Sequence, residues 1–521
     1  MRLGIDVGGT NTDAVLMDGR SVLASAKRPT TADVSSGIVS ATRAVLGAAS
    51  EGAEAIESVM IGTTHFANAF VERKGLLKVG VLRLAGAAGE ALPPMSGWPD
   101  DLRRCIGDMT FQLPGGYEFD GRENTAFDER AVRDAARKVR QAGIESVAIS
   151  CVFAPINRAM EERAAAIIRD EAPHLSITMS SALGRFGFLE RENATIMNAA
   201  LARMAVRVMS SFAAAFADMG IRAPLFVSQN DGTLISSEYA SRYPVLTFGS
   251  GPTNSMRGAA FLTGIQDAIV MDVGGTTTDI GALVNGFPRE SSIAVDIGGV
   301  RTNFRMPDIL SIGLGGGTRI HGATAAETLR IGPDSVGYRL LEASYLFGGS
   351  TLTASDIAVK AGYASFGEVS RVPDLPRGML EQILLRFRRT FEEGIDRMKT
   401  AAADVPVVLV GGGSVLVEKA LKGASRVLQP EHAAVANAVG AAIAQIGGEV
   451  DRIVAYENTD RAQVLQTVER EATDRAIAAG AEPSSVRLVD IEEVFLSYLP
   501  GNTAQVRAKV VGDLAVATCD R

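Results

Sequence analysis

The chain has 521 residues, 46% hydrophobic and 6% aromatic, an ordinary globular composition with room for roughly three domains. Lys and Arg total 52 against 60 Asp and Glu, a formal net charge of −8, so no global positive field draws the chain to nucleic acid or anionic lipid. A small molecule or a protein is the expected partner. The three cysteines, Cys105, Cys151 and Cys519, are scattered and odd in number, which argues against a disulfide framework and fits a reducing compartment.

In chain order, residues 2–7 (RLGIDV) predict a buried strand, GGTNTD at 8–13 a turn and 14–17 the returning strand. No basic-then-apolar leader precedes them, and no run approaches the ~18 apolar residues of a spanning helix, so a cytoplasmic protein without membrane contact is expected. Residues 86–123, rich in Pro, Gly and Asp and holding the single Trp98, predict an irregular surface insertion that acts as a lid. Helical patterns at 128–141 and 157–170 alternate with strands at 146–153 and 224–228, which points to α/β layers. Residues 269–284 then repeat the opening layout, with GGTTTD at 274–279 as the turn. Further glycine turns follow at 313–318 (GLGGGT) and, after a helical pattern near 378–399, within VPVVLVGGGSVLV at 405–417. Small residues at 430–447 predict a closely packed hinge helix. From about 450 a polar helix (459–479) and strands near 486–490 and 503–511 resemble a separate small unit.

Glycines at a strand end let the backbone approach a ligand, and successive N–H groups there form an anion-binding concavity suited to phosphate. Gly8, Gly9, Gly274 and Gly275 provide two such turns, and Thr10, Thr12, Thr276, Thr277 and Thr278 add donors. Asp6 and Asp272 end the incoming strands, where a carboxylate can hold Mg²⁺ directly or through water. Gly411, Gly412, Gly413 and Ser414 form a third turn, placed to hold the base and ribose of a nucleotide. Gly315 and Gly316 admit two readings, contact with the ligand or a tight structural crossing, and Arg257 could meet phosphate or be a surface charge.

These motifs resemble the actin, sugar-kinase and heat-shock-chaperone ATPase superfamily, with Asp6 to Asp13 and Asp272 to Asp279 as the phosphate motifs and Gly411 to Ser414 as the adenosine motif. ENATIMNAALAR (192–203) is placed like its first connecting helix, and AVANAVGAA like its second. A narrower resemblance, to the hydantoinase A / 5-oxoprolinase family, covers nearly the whole chain. It rests on IGTTHFANAFVERKG (61–75), FLERENATIMNA (188–199), PLFVSQNDGTLIS (224–236), SGPTNSMRGAA (250–260) and SIGLGGGT (311–318), among others. The sequence departs from that family at Ile61, where a His often precedes Gly-Thr-Thr.

The resemblance implies an α/β fold of two ribonuclease-H-like (actin-like ATPase) domains, 1–220 and 221–449, around a nucleotide cleft, with a small α+β C-terminal domain at 450–521. It implies ATP and Mg²⁺ as cofactors and an ATP-dependent cyclic amide hydrolase that phosphorylates a lactam or imide carbonyl. Asp6 and Asp272 would organise the metal, Thr10, Asn11, Thr12, Thr276 and Thr277 the phosphates, and Asp13 or Asp279 the acceptor or a water. For Asp13 the alternative is a carboxylate that pins the returning strand. Thr63, Thr64, His65, Asn68 and Asn230 are the substrate candidates, with a structural role the stronger reading for His65. His174, His321 and His432 show no zinc spacing. A separate B-type hydantoinase subunit is the implied protein partner, self-association remains open, and no nucleic acid or membrane partner is expected. A ketone-carboxylase-like subunit and a nucleotide-dependent regulatory or assembly ATPase are the competing readings.

Overall fold

A computed structural model describes residues 1–515 except 32–34, 50, 51, 184, 185, 292, 293, 305, 458 and 498, so Cys519 lies outside the described residues. The chain opens with an antiparallel hairpin, β1 (Arg2–Val7) and β2 (Asn11–Asp18), extended by β3 (Ser21–Pro29). After α1 (Ser35–Ala48), β4 (Ser58–Thr63) pairs parallel with the other side of β1, and α2 (His65–Val71) starts at its end. β5 (Val79–Leu84), α3 (Asp100–Ile106), β6 (Thr110–Leu113), α4 (Glu129–Gln141), β7 (Ser146–Cys151), α5 (Ala159–Glu171) and β8 (Ser176–Met179) make a four-stranded parallel sheet with its helices, ordered β6-β5-β7-β8. The long α6 (Phe188–Asp218) leads back to β9 (Leu225–Ser228), β10 (Thr233–Ser236) and α7 (Ser237–Arg242).

Next, α8 (Ser250–Thr263) carries the chain into another sheet through β11 (Ala268–Val273), β12 (Thr278–Val284) and β13 (Phe287–Pro288). Two small hairpins, β14 (Val295–Ile297) with β15 (Val300–Thr302) and, beyond β16 (Ile309–Ile312), β17 (Thr318–His321) with β18 (Arg330–Ser335), precede α9 (Leu340–Ala343), α10 (Ala354–Lys360) and α11 (Met379–Met398). β19 (Val405–Val410) and β20 (Ala424–Leu428) complete this sheet. The chain returns through α12 (Ala436–Ala442) to β21 (Gln445–Ala455), α13 (Arg461–Ala478), β22 (Arg487–Phe495) and β23 (Thr503–Gly512).

The first sheet thus has nine strands in the order β22-β23-β21-β10-β9-β4-β1-β2-β3, and the second has the path β13-β12-β11-β19-β20 with β16 on β12. Central strands buried on both faces read as continuous apolar runs; Leu3, Ile5 and Ile61 meet Ala199 and Phe212 of α6 in one core. In the other core, Ile280 of β12 packs with Phe387, Phe391 and Ile395 along one stripe of α11.

Several expectations are corrected. The boundary expected at 449/450 falls inside β21, whose pairing with β23 extends the first sheet, and β9 and β10, beyond the expected 220/221 boundary, belong to that sheet too. The helix expected through 447 stops at Ala442 because the following Gln445–Ala455 joins that ladder. α6 does not connect the two sheets; it leads from β8 to β9, and α8 makes that connection. By length and composition α6 could cross a membrane, contrary to the expectation of no such run, and half of its most apolar window is buried inside the protein. Finally, 86–123 is not an irregular lid: α3 and β6 lie in it, and Trp98 is buried, donating its indole N–H to Asn193 Oδ1 at 2.9 Å.

Candidate functional site

The two glycine turns are the same structure made twice. Asp6 faces Asp13 and Val7 faces Thr12 across the β1–β2 ladder; Asp272 faces Asp279 and Val273 faces Thr278 across β11–β12. Gly8 N donates to Asn11 O at 3.0 Å, and Gly274 N to Thr277 O at 2.9 Å. Asp13 and Asp279 were expected in the turns, but each lies in a returning strand. The turn tips approach one another: a Cβ on Gly275 would stand 3.8 Å from Thr10 Cγ2. Gly9, Thr276 and Thr277 are exposed there, with Thr10 and Asn11 half-buried beside them.

Thr12 and Thr278 do not reach this gap. Both are fully buried, the Thr12 hydroxyl lying 3.2 Å from Thr30 Oγ1 and the Thr278 hydroxyl donating to Leu314 O at 2.5 Å. They brace the turns from behind, a correction to their expected role as phosphate donors.

Behind the turns, Asp6 and Asp13 are buried and Asp272 and Asp279 half-buried. Burial, then the charges of Asp13 and Asp272, push Asp6 up to about 7. Asp279 is pushed up to about 6, by burial first and then by Asp272, and burial also raises Asp13 and Asp272. Lys27 of β3, opposite Asp13 in the ladder, is paired with it at 2.6 Å and is the cation acting on this group. Asp6 Oδ1 is buried without a hydrogen-bond partner. Four close carboxylates, one cation and an orphaned oxygen fit a bound divalent cation, which would supply the missing positive charge. Among the described residues no three His, Cys, Asp or Glu side chains converge as a metal site, so such an ion would draw its remaining ligands from phosphate and water.

The helices linking the sheets each hold one carboxylate. Asn437 Nδ2 of α12 donates to Asp6 Oδ2 at 2.9 Å, and Ser255 Oγ of α8 donates to Asp272 Oδ2 at 2.5 Å. Ser311 Oγ of β16 donates to Asp279 Oδ1 at 2.5 Å. Asn254 of α8 reaches the same place: a Cβ on Gly62 would lie 2.4 Å from both Asp6 Oδ1 and Asn254 Nδ2. Lys27, Asn254, Ser255, Ser311 and Asn437 were not anticipated. Only the small-residue helix containing Asn437 gave a signal, since hydroxyl and amide residues on helices are usually solvated.

The adenosine-type turn abuts the second phosphate turn. Val410 pairs with Asp272, and Gly411 adopts φ +83° with Asp272 Oδ1 and Val273 O each 2.4 Å from where a Cβ would stand, so only glycine fits. Gly413 N donates to Val273 O at 2.7 Å and Ser414 Oγ accepts from Gln429 Nε2 at 2.8 Å, whereas Gly412 is exposed with open space over its Cα. Gly315 and Gly316 make a tight crossing: Gly315 N donates to Thr318 Oγ1 at 2.7 Å within its own turn, and Gly316 N donates to Gly274 O at 3.0 Å, which braces the second turn.

Thr63 ends β4 and Thr64 precedes α2, both beside the first turn, with Thr63 paired with Val7 and Thr64 donating to Val7 O at 3.4 Å. Asn68 Nδ2 donates to Thr64 Oγ1 at 3.2 Å from an exposed position. His65 is lowered by burial and then by the charge of Arg207; the other charge acting on it is Glu72, none of the four carboxylates. Its ring meets Phe66 edge-on, which supports the structural reading. Asn230 is fixed through its backbone, its N–H donating to Leu246 O at 2.8 Å and its carbonyl accepting from Thr253 Oγ1 at 2.9 Å.

Two family models match the chain, hydantoinase/oxoprolinase N-terminal region over residues 2–172 and hydantoinase/oxoprolinase over 191–366. The chain is 28% identical over 388 residues to caprolactamase subunit alpha of Pseudomonas jessenii, spanning 70% of this chain and 55% of that protein. It is 27% identical over 392 residues to the acetophenone carboxylase gamma subunit of Aromatoleum aromaticum, spanning 69% and 53%. The chain therefore spans about half the length of these curated relatives. The crystal structure of ATP-dependent caprolactamase from Pseudomonas jessenii shares the fold, with a TM-score of 0.78 at 21% identity, over 99% of this chain and 88% of that one.

Proposed function

The chain belongs to the hydantoinase/oxoprolinase family, and from that premise we propose that it is the ATP-binding, phosphoryl-transferring subunit of an ATP-dependent cyclic amide hydrolase. The observation that carries this reading is the pair of facing turns, with Asp6 opposite Asp13 and Asp272 opposite Asp279 in equivalent registers.

In this reading the backbone amides of the turns, with Thr10, Asn11, Thr276 and Thr277, cradle the β- and γ-phosphates, and Gly412 lies against the nucleoside. Asp6 and Asp272 would hold Mg²⁺, which would supply positive charge against the phosphates. Asp13, neutralised by Lys27, keeps β2 and β3 in place. Asp279, held by Ser311 and partly open, orients the acceptor or a water. An unstrained amide carbonyl is a poor electrophile. Transfer of the γ-phosphoryl to its oxygen, with ADP leaving, gives a phosphorylated imidate. Water adds to its carbon, and the C–N bond breaks as the nitrogen takes a proton and leaves as the amine. Attack of a second water on the carbon of the resulting acyl phosphate releases a carboxylate and a phosphate that carries the former carbonyl oxygen. The reading includes a cytoplasmic location and a separate partner subunit of the B type for ring opening.

The likeness to an acetophenone carboxylase subunit favours one alternative, in which the same site activates a ketone or bicarbonate. Phosphate release from ATP across hydantoins, 5-oxoproline, larger lactams and ketones, with and without the product of a neighbouring gene, separates the two. Stimulation by cyclic amides supports the first reading and stimulation by ketones alone the second. If ATP is neither bound nor hydrolysed, and Asp6→Ala and Asp272→Ala change nothing, both are lost.

A further inference from the structure

Arg257 sits on the connecting helix α8 and is 7% exposed, yet its Nη1 is buried without a partner. Its Nη2 donates to Gln445 Oε1 at a long 3.3 Å. Its guanidinium carbon lies 4.1 Å from the centre of the Phe287 ring, and that of Arg487, exposed on β22, lies 5.5 Å from the same centre. Among the described residues neither arginine makes an ion pair. The acid whose charge acts on Arg257, Asp231, is already held by Lys509 at 2.9 Å and by the amide and hydroxyl of Thr233. Gln445 in turn donates to Asp513 at 2.8 Å.

Two guanidiniums against one ring repel each other, and a buried cation lacking a carboxylate is costly unless something else answers its charge. The ring faces answer part of it. Arg257 accordingly has its pKa pulled down to about 10, by burial first and then by Arg487. The remaining free donors of both forks match a planar or tetrahedral oxyanion, which arginine binds in bidentate fashion.

We propose that Arg257 and Arg487 form a binding site for a small oxyanion, a carboxylate or a phosphate, seated beside Phe287 and separate from the phosphate turns. Phe287 belongs to the second sheet, Arg487 to the first, and Arg257 to the helix joining them, so an occupant ties the sheets together beside α8. Resting on the function proposed above, both sources are at hand: ATP-driven ring opening releases inorganic phosphate and a new carboxylate.

The test is calorimetric titration of the full chain, already saturated with Mg²⁺ and a non-hydrolysable ATP analogue, with inorganic phosphate in one arm and 6-aminohexanoate in the other. One equivalent of either ligand is expected to bind, weakened at least about tenfold in Arg487→Ala and in Arg257→Gln, with the analogue's own affinity kept within about twofold in Arg487→Ala. The arm that saturates identifies the source. If Arg257→Gln does not fold, the exposed Arg487→Ala decides alone. No saturable binding in either arm, or binding unchanged in Arg487→Ala, would overturn the proposal and leave the arginines as packing around Phe287. Should the analogue itself fail to bind, the function proposed above fails, while the phosphate arm still decides this site.

Discussion

Asn437 Nδ2 stands 2.9 Å from Asp6 Oδ2, so the helix that returns the chain to the first sheet holds the carboxylate at the end of the first strand. A hydrogen bond to an ionised group contributes about 1.5–3 kcal/mol. Asn437→Ala is therefore expected to weaken Mg²⁺-dependent binding of an ATP analogue roughly tenfold or more, read by titration at fixed Mg²⁺. Ser255→Ala should act likewise through Asp272. Equal affinities in wild type and both variants would show that these helices do not position the carboxylates.

The carboxylate cluster sets a pH dependence whose sign is unambiguous. Asp6 is raised from 3.8 to about 7, so the folded chain holds this proton more tightly than the unfolded chain does. Its contribution to stability is full below about pH 4 and is lost as pH rises toward 7. Asp6→Asn removes that loss: it should match wild type in thermal stability below about pH 4 and exceed it at pH 8 by about 4 kcal/mol, at 1.36 kcal/mol per pKa unit. Mg²⁺ with the analogue should reverse the order at pH 8 by stabilising wild type alone.

Asp279 should be separable from its counterparts. Raised to about 6, it is ionised only above that pH, so substrate-stimulated turnover should rise with pH through about 6. Asp279→Asn should lower turnover by about 10²-fold or more and flatten this rise while leaving analogue affinity nearly intact. A comparable loss of nucleotide affinity would reassign Asp279 to holding metal or phosphate.

Glycines divide into those the fold needs and those the ligand needs. A Cβ on Gly258 would lie 1.9 Å from Ala436 O and one on Gly440 1.9 Å from Asn254 O, where α8 and α12 touch backbone to backbone. Gly258→Ala or Gly440→Ala should destabilise the chain by about 1–3 kcal/mol or more and displace Ser255 and Asn437 from their carboxylates. Gly9, with nothing within 4 Å of its would-be Cβ, should accept Ala with little change in melting temperature, yet lose analogue affinity.

Much of this was legible because duplication is a strong signal. Asp6 and Asp272 could be located because each follows an apolar strand and precedes the same glycines. The braces were not legible: Thr12 looks like Thr10 in sequence, and only the alternation of a strand that begins at Asn11 turns its side chain inward. Asn437 and Ser255 were hidden because their meaning depends on two helices crossing at Gly258 and Gly440, a long-range contact without local periodicity. The residues after 450 read as a separate unit because local patterns do not reveal that β23 pairs with β21 and so extends the first sheet.

The central claim is that the γ-phosphoryl group passes to the carbonyl oxygen of a cyclic amide. It is tested most directly with a lactam carrying ¹⁸O in its carbonyl, incubated with ATP, Mg²⁺, this chain and its partner subunit, followed by mass analysis of the released phosphate. The account predicts one ¹⁸O in that phosphate for each ring opened. Unlabelled phosphate, with all of the ¹⁸O kept in the product carboxylate, would contradict it.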